Sequence, residues 1–163
     1  DGYDAMTWSF WIKPNSLADD DTILDKWVET GNQRSWRMYI DDSDELALEI
    51  SSTGANNEIQ KTKHDGATPL NLTLNTWWYI TVIFNAGTFT VYKNNATNIT
   101  VDANFGTTLT IFNSSANLLI GDGNVAAMTA FDGLIDDVRI YNRALDTDEI
   151  KKNYRHGSAK HKD

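Results

Sequence analysis

Met6-Thr7-Trp8-Ser9-Phe10-Trp11-Ile12-Lys13-Pro14 alternates along its length: Trp8, Phe10 and Ile12 fall on one side, Thr7, Ser9 and Trp11 on the other. A period of two is the mark of a β-strand, and Lys13-Pro14 ends it. The same alternation returns in Trp36/Met38/Ile40, in Leu46/Leu48/Ile50, in Ile80/Val82/Phe84 and in Phe89/Val91. Leu118 and Ile120 lead to Gly121-Asp122-Gly123, and Ile135 to Tyr141 forms a last strand. Turn residues separate the runs: Asp41-Asp42-Ser43-Asp44, Asn85-Ala86-Gly87, Lys93-Asn94-Asn95 and Asp132-Gly133. Short strands at such spacing predict an all-β chain, a two-sheet antiparallel sandwich or jelly roll. Only Asp146–Tyr154 reads as a helix, with Asp146 and Glu149 spaced as a capping box and Ile150 and Tyr154 sharing a face.

Composition narrows the functions. The 163 residues carry a formal charge of −9, no cysteine and six tryptophans. Absence of cysteine removes disulfides, thiolate metal sites and a cysteine nucleophile. No apolar run approaches the ~20 residues of a membrane span, and the acidic balance argues against binding nucleic acid. Residues 1–150 hold nine Lys/Arg against 22 Asp/Glu, whereas 151–163 hold five against one. The expected layout is a sandwich over 1–154 and a basic tail or linker over 155–163. The chain opens at Asp1 and reads as one domain of a larger protein.

Four stretches resemble one family, the laminin G-like jelly rolls of the concanavalin A-like lectin/glucanase superfamily. Met6–Pro14 is similar to its early strand ending in Trp-x-Lys-Pro, and Ile23–Trp27 with Gly31–Ile40 to the hairpin after it. Asn75–Val82 resembles a third strand, with Tyr79 where histidine is usual. Leu119-Ile120-Gly121 followed by Phe131–Leu145 is the most specific match. The resemblance implies an earlier strand pairing with the last one. Only Asp1–Asp4 precedes the Trp8 strand here, so the expectation is a missing first strand and an open edge on the last.

In such a sandwich Trp8, Phe10, Ile12, Trp36, Met38, Leu46, Leu48, Ile50, Ile80, Val82, Phe84 and Val91 form the core register. The opposite register collects Trp11, Lys13, Arg37, Tyr39, Glu45, Glu49, Tyr79, Thr81, Thr90 and Tyr92. If those strands are neighbours, Trp11, Arg37, Tyr39, Glu49, Tyr79 and Tyr92 make a sugar-binding face, rings stacking on a pyranose and polar groups pairing its hydroxyls. The alternative is that Trp11, Tyr79 and Tyr92 pack under loops as a second small cluster. Trp27, Trp77 and Trp78 stay unplaced.

Asp44–Ile50 is similar to the E-x-D-x-E strand of glucanases on this fold, with Glu45 and Glu49 as the carboxylate pair and Ala47 in place of the middle acid. Four residues along a strand span ~13 Å, far from the ~5–5.5 Å of a retaining pair, so the strand reads as non-catalytic. His64, His156 and His161 assemble no triad or metal spacing. The resemblance implies a structural Ca²⁺ on Asp136, with Asp132 a weaker ligand; Asp136 shares a register with Val138 and Ile140 and is expected to point inward. Asn71, Asn95, Asn98 and Asn113 head Asn-x-Ser/Thr sequences, which fit an exported protein or mere composition.

The expectation is a non-catalytic recognition module, binding a glycan or another cell-surface ligand, in an extracellular or surface protein. A glycoside hydrolase using Glu45 and Glu49, or a structural or adhesion spacer without a sugar ligand, are its rivals.

Overall fold

The computed structural model describes residues 2–17, 20–41, 44–55, 59–63, 70–95, 97–104, 110–126 and 128–162, with 59–63 and 97–104 described as strand backbone. The strands are β1 (Ala5–Pro14), β2 (Asp21–Val28), β3 (Gln33–Ile40), β4 (Leu46–Ser51), β5 (Ile59–Lys63), β6 (Trp78–Asn85), β7 (Thr88–Lys93), β8 (Thr97–Asn104), β9 (Leu119–Ile120), β10 (Thr129–Ala130) and β11 (Gly133–Tyr141). One helix follows, α1 (Thr147–Ser158). The first sheet runs β11-β1-β6-β7-β8; the second runs β10-β2-β3-β4-β5, with β9 also on β2. All pairings are antiparallel except the two-residue β10–β2 contact.

All twelve residues of the expected core register lie in one apolar cluster between the sheets. Trp8 from the first sheet meets Trp36 from the second edge to face, ring centroids 5.2 Å apart. The β6–β7 hairpin closes through Ala86 and Gly87, both at positive φ (46° and 85°). Two consecutive positive-φ residues match the right-handed twist of the flanking strands.

Two expectations about the last strand divide. β11 is an edge strand, pairing with β1 alone among the described residues, and Leu134 on it is 55% exposed. The inward placement of Asp136 is overturned. The β1–β11 register shifts between Ser9 and Trp11, and Asp137 adopts φ 51°. This bulge on β11 changes the side on which the following residues stand. Ile135 and Val138 pack on the core, while Asp136 pairs with Trp11 and turns outward.

The tail is also corrected. Residues 155–158, assigned by sequence to a basic tail or linker, are the last turn of α1. The capping box is as expected: Asp146 accepts from the Asp148 and Glu149 N–H groups (both 2.9 Å), and Glu149 Oε2 accepts the Asp146 N–H (3.1 Å). Beyond the helix His161 is buried, its ring stacked on Trp11 (centroids 4.3 Å) and edge-on to Trp77 (4.5 Å). Its Nδ1 lies 2.8 Å from the Gly157 carbonyl and its Nε2 2.9 Å from Asp136 Oδ2. The chain end is therefore docked, because aromatic stacking and two polar contacts offset the entropy of ordering it.

Gly157 packs α1 against the sheet: a Cβ there would meet Trp11 Nε1. Gly157→Ala gains about 1 kcal/mol of helix propensity but forces the helix off Trp11, an overpacking cost of about 1–3 kcal/mol. The expected result is a net loss of stability in urea unfolding with red-shifted tryptophan emission. A stabilised variant with unchanged emission contradicts this docking.

Candidate functional site

The six residues expected on one face are split between the two outer faces of the sandwich. Trp11 on β1, Tyr79 on β6 and Tyr92 on β7 belong to the outer face of the first sheet, Arg37, Tyr39 and Glu49 on β3 and β4 to that of the second. The first trio is covered. Trp11 and Tyr79 join Ile83, Leu145 and Ile150 in a second apolar cluster, with Tyr92, Trp77, Tyr141 and Tyr154 packed against it. Trp11 stacks on Tyr154 of α1 at 5.5 Å as well as on His161. The second small cluster is thus the reading that holds, with a helix rather than loops as its cover. Burial pushes the Tyr79 phenol up, and the neighbouring Ser9 and Thr81 hydroxyls pull it the other way.

The second trio is largely buried as well (Tyr39 2% and Glu49 6% exposed) and forms a connected polar group. Glu49 Oε2 accepts from Arg37 Nε (2.9 Å) and pairs with Nη2 (2.6 Å), while Oε1 accepts the Tyr39 hydroxyl (2.7 Å). Strand register puts the group together: Arg37 stands opposite Glu49 across β3–β4, and Tyr39 two residues on shares its side. Burial, then the bond to Glu49, drives the Tyr39 phenol far above its ordinary value.

Register across β2–β3 adds two residues that the sequence reading did not select. Asp25 is the direct partner of Arg37, and the Arg37 guanidinium lies 4.8 Å over the Trp27 ring and 5.6 Å over Tyr39. Trp27 is fully buried yet belongs to neither apolar cluster. Asp25 is fully buried too; its Oδ2 accepts the Asn124 N–H (3.0 Å) from the loop after β9. Four buried polar atoms on this face make no hydrogen bond: Asp25 Oδ1, Arg37 Nη1, Trp27 Nε1 and Nε of Arg34, the cross-strand partner of Trp27. Burial outweighs the Asn124 N–H and Arg37 and raises the Asp25 carboxyl to about 6. The available signal was the alternation Asp25-Lys26-Trp27, which puts an acid and an indole on one side, as Arg37-Met38-Tyr39 does with a guanidinium and a phenol.

The carboxylate pair does not form a compact dyad. Glu45 lies just before β4 and Glu49 within it, ~13 Å apart along an extended chain, and Glu49 is held by Arg37 and Tyr39. The calcium ligands named by resemblance are engaged by donors. Asp136 Oδ1 accepts the Asp137 N–H (2.7 Å), and its Oδ2 meets His161. That backbone N–H first, then His161, holds the Asp136 carboxyl below its usual range. Asp132 accepts from Asn15 Nδ2 and Ser16 Oγ, both at 3.1 Å. Among the described residues no three His, Asp or Glu side chains group together. His156 is exposed, and His64 lies outside the described residues. Asn71, Asn95 and Asn113 are exposed; Asn98 lies in β8, whose side chains are not described.

The chain belongs to the laminin G-type domains of the concanavalin A-like lectin/glucanases superfamily: the model of that family matches residues 2–151. No curated protein matches the sequence. Among solved structures it is similar to domain 4 of AbnA, a GH43 extracellular arabinanase from Geobacillus stearothermophilus, in complex with arabinotriose. That likeness has a TM-score of 0.66 at 18% identity and covers 94% of this chain and 68% of the other. A heptameric SAP-like pentraxin from Limulus polyphemus gives 0.64 at 18%, covering 94% and 70%. The binding domain of botulinum neurotoxin serotype G gives 0.66 at 20%, covering 96% of this chain and 37% of that one. Identities this low carry the fold. No helix among the described residues is long and apolar enough to cross a membrane.

Asp25 makes a signed prediction. Its carboxyl titrates near 6 in the fold against an ordinary 3.8, so between those values the folded chain holds a proton that the unfolded chain has lost. This residue's contribution to stability therefore falls as pH rises from about 4 to about 6, by roughly 3 kcal/mol at most. Asp25→Asn removes the penalty. The melting-temperature difference between variant and parent should widen over that range and level off above it; a difference independent of pH contradicts the burial argument.

Proposed function

We propose that this domain is a non-catalytic glycan-recognition module of an extracellular or cell-surface protein, and that it reads its ligand with the outer face of the second sheet. The observation that carries the reading is the Arg37–Glu49–Tyr39 group set over Trp27. Directional donors and acceptors fixed beside aromatic rings are the chemistry of sugar recognition. Fold supports it: an arabinanase domain seen with arabinotriose shares the sandwich. The ~13 Å that separates Glu45 from Glu49 along the strand favours recognition over hydrolysis, because a retaining pair stands ~5–5.5 Å apart.

A glycan array probed with the whole chain tests this. The parent protein should bind a restricted set of glycans. Tyr39→Phe, which deletes one hydroxyl from the group, should weaken binding about fivefold to tenfold while costing only about 1 kcal/mol of stability. An array silent for a folded protein favours the spacer reading. Release of reducing ends from arabinan or β-glucan that disappears in Glu49→Gln favours the hydrolase. Repeating the titration with Ca²⁺ and with EDTA shows whether a cation takes part: weaker binding in EDTA supports the structural ion, equal affinities count against it.

A further inference from the structure

Aspartate is followed by glycine at 1–2, 65–66, 122–123 and 132–133, and the last two pairs lie among the described residues. In such a pair the carboxyl can react with the next backbone nitrogen, because glycine has no side chain to shield it. The fold treats the two pairs differently. In the loop after β9 the exposed Asp122 folds back on its own chain, Oδ1 accepting the Gly123 N–H at 2.8 Å. Asp132, just before β11, is engaged elsewhere. Its carboxylate oxygens accept from Asn15 Nδ2 and Ser16 Oγ, its carbonyl accepts the Asn15 N–H (2.9 Å), and Gly133 pairs with Pro14 across β1–β11.

We propose that Asp122-Gly123 is a site of spontaneous covalent modification, at which Asp122 rearranges to isoaspartate through a cyclic imide. In the acid form of Asp122 the Gly123 nitrogen attacks Cγ. An N–Cγ bond forms, a Cγ–O bond breaks, and the hydroxyl leaves with the amide proton as water. Solvent water then opens the ring. Cleavage of the N–Cγ bond restores aspartate, while cleavage between that nitrogen and the main-chain carbonyl carbon leaves the chain running through Cβ and Cγ. The 2.8 Å contact supplies the proximity that a freely rotating side chain would have to find. Packing also keeps the nucleophile bare: a Cβ on Gly123 would fall 2.9 Å from Met128 Cβ and from Thr22 Oγ1, and 3.3 Å from Asp25 Oδ2.

A similar contact at Asp136 makes an internal comparison. Its Oδ1 accepts the Asp137 N–H (2.7 Å), yet His161 holds the other oxygen, Asp137 carries a side chain beside the nitrogen, and both residues lie within β11. The loop at Asp122 has none of these restraints. Rearrangement there also has a consequence. Isoaspartate lengthens the main chain by one carbon just ahead of Asn124, whose N–H reaches the buried Asp25 Oδ2 at 3.0 Å. The modified loop therefore loosens its hold on Asp25 and lowers the stability of the domain, whatever the domain binds.

The test ages the whole folded chain in warm neutral buffer, beside a sample held in urea and beside Asp122→Ser, whose hydroxyl can still accept the Gly123 N–H. Peptide mapping locates isoaspartate residue by residue, and labelling by an isoaspartyl methyltransferase confirms it. In the folded chain isoaspartate should accumulate about tenfold or more faster at 122 than at 132 or 136, because those carboxylates must first give up hydrogen bonds. In urea the rates at 122 and 132 should converge. The aged parent should melt about 2–4 °C below the fresh protein, for the loss of roughly one hydrogen bond, while aged Asp122→Ser keeps its melting temperature. Equal rates at 122 and 132 in the folded chain overturn the proposal, and so does an unchanged ratio in urea, since local sequence rather than the contact then sets the rate. Isoaspartate at 122 with no change in melting overturns the loosening of Asp25.

Discussion

The architecture depends on β1 being buried on both faces. Its Trp8, Phe10 and Ile12 fill the space between the sheets, and its Trp11 presents an indole on the other side that is only 2% exposed. A two-sheet sandwich covers one face of each sheet and leaves the other to solvent. A tryptophan on the wrong side for the core therefore needs a third layer, and the C-terminal segment supplies it. Gly157 lets α1 lie directly on the indole, Tyr154 and His161 stack on its ring, and Asp136 ties His161 back to β11. The capping box at Asp146 and the Arg143–Glu149 pair, at 2.6 and 2.7 Å, set where that layer begins.

The bulge at Asp137 belongs to the same constraint. Without it, strict alternation from Val138 would have sent Asp136 into the core, where a bare carboxylate is costly. With one extra residue in β11, Val138 and Ile135 both stay inward while Asp136 emerges beside Trp11, in reach of His161. A register change at an edge strand also interrupts its regular ladder, one of the devices by which exposed edges resist pairing with other chains.

Period-two patterning made the core legible: each alternation quoted from the sequence fills the inner cluster. It could not make the site legible, because alternation tells which residues share a side of one strand and nothing about which strands are neighbours. Grouping Trp11, Tyr79 and Tyr92 with Arg37, Tyr39 and Glu49 requires β1, β6 and β7 to adjoin β3 and β4; the chain instead sorts them into opposite sheets. The Asp137 bulge was invisible for a similar reason, since a positive φ at an aspartate leaves no periodic trace. His161 sat in a short, basic, glycine-containing end that by composition resembles a frayed terminus. Only its meeting with Trp11 and Trp77, through residues more than eighty positions away, gives it a role.

The two outer faces solve their burial differently, and the contrast separates scaffold from site. Beneath α1 lie the Ser9, Thr81 and Tyr79 hydroxyls and the Trp11 indole N–H, Ser9 facing Thr81 across β1–β6. On the second sheet the buried groups are ions. A buried Arg–Glu pair is weak evidence of stabilisation, because desolvation cancels much of its attraction, and here it stands next to a second carboxylate raised toward neutrality by burial. A well-packed apolar face would have cost the fold less. The first sheet, with Ile83, Leu145 and Ile150 in its outer cluster, shows that this chain builds such a face where only stability is at stake. The buried Arg37–Glu49 pair and the Asp25 carboxyl on β2, β3 and β4 are what set this face apart from the first, where indole and phenol are also buried.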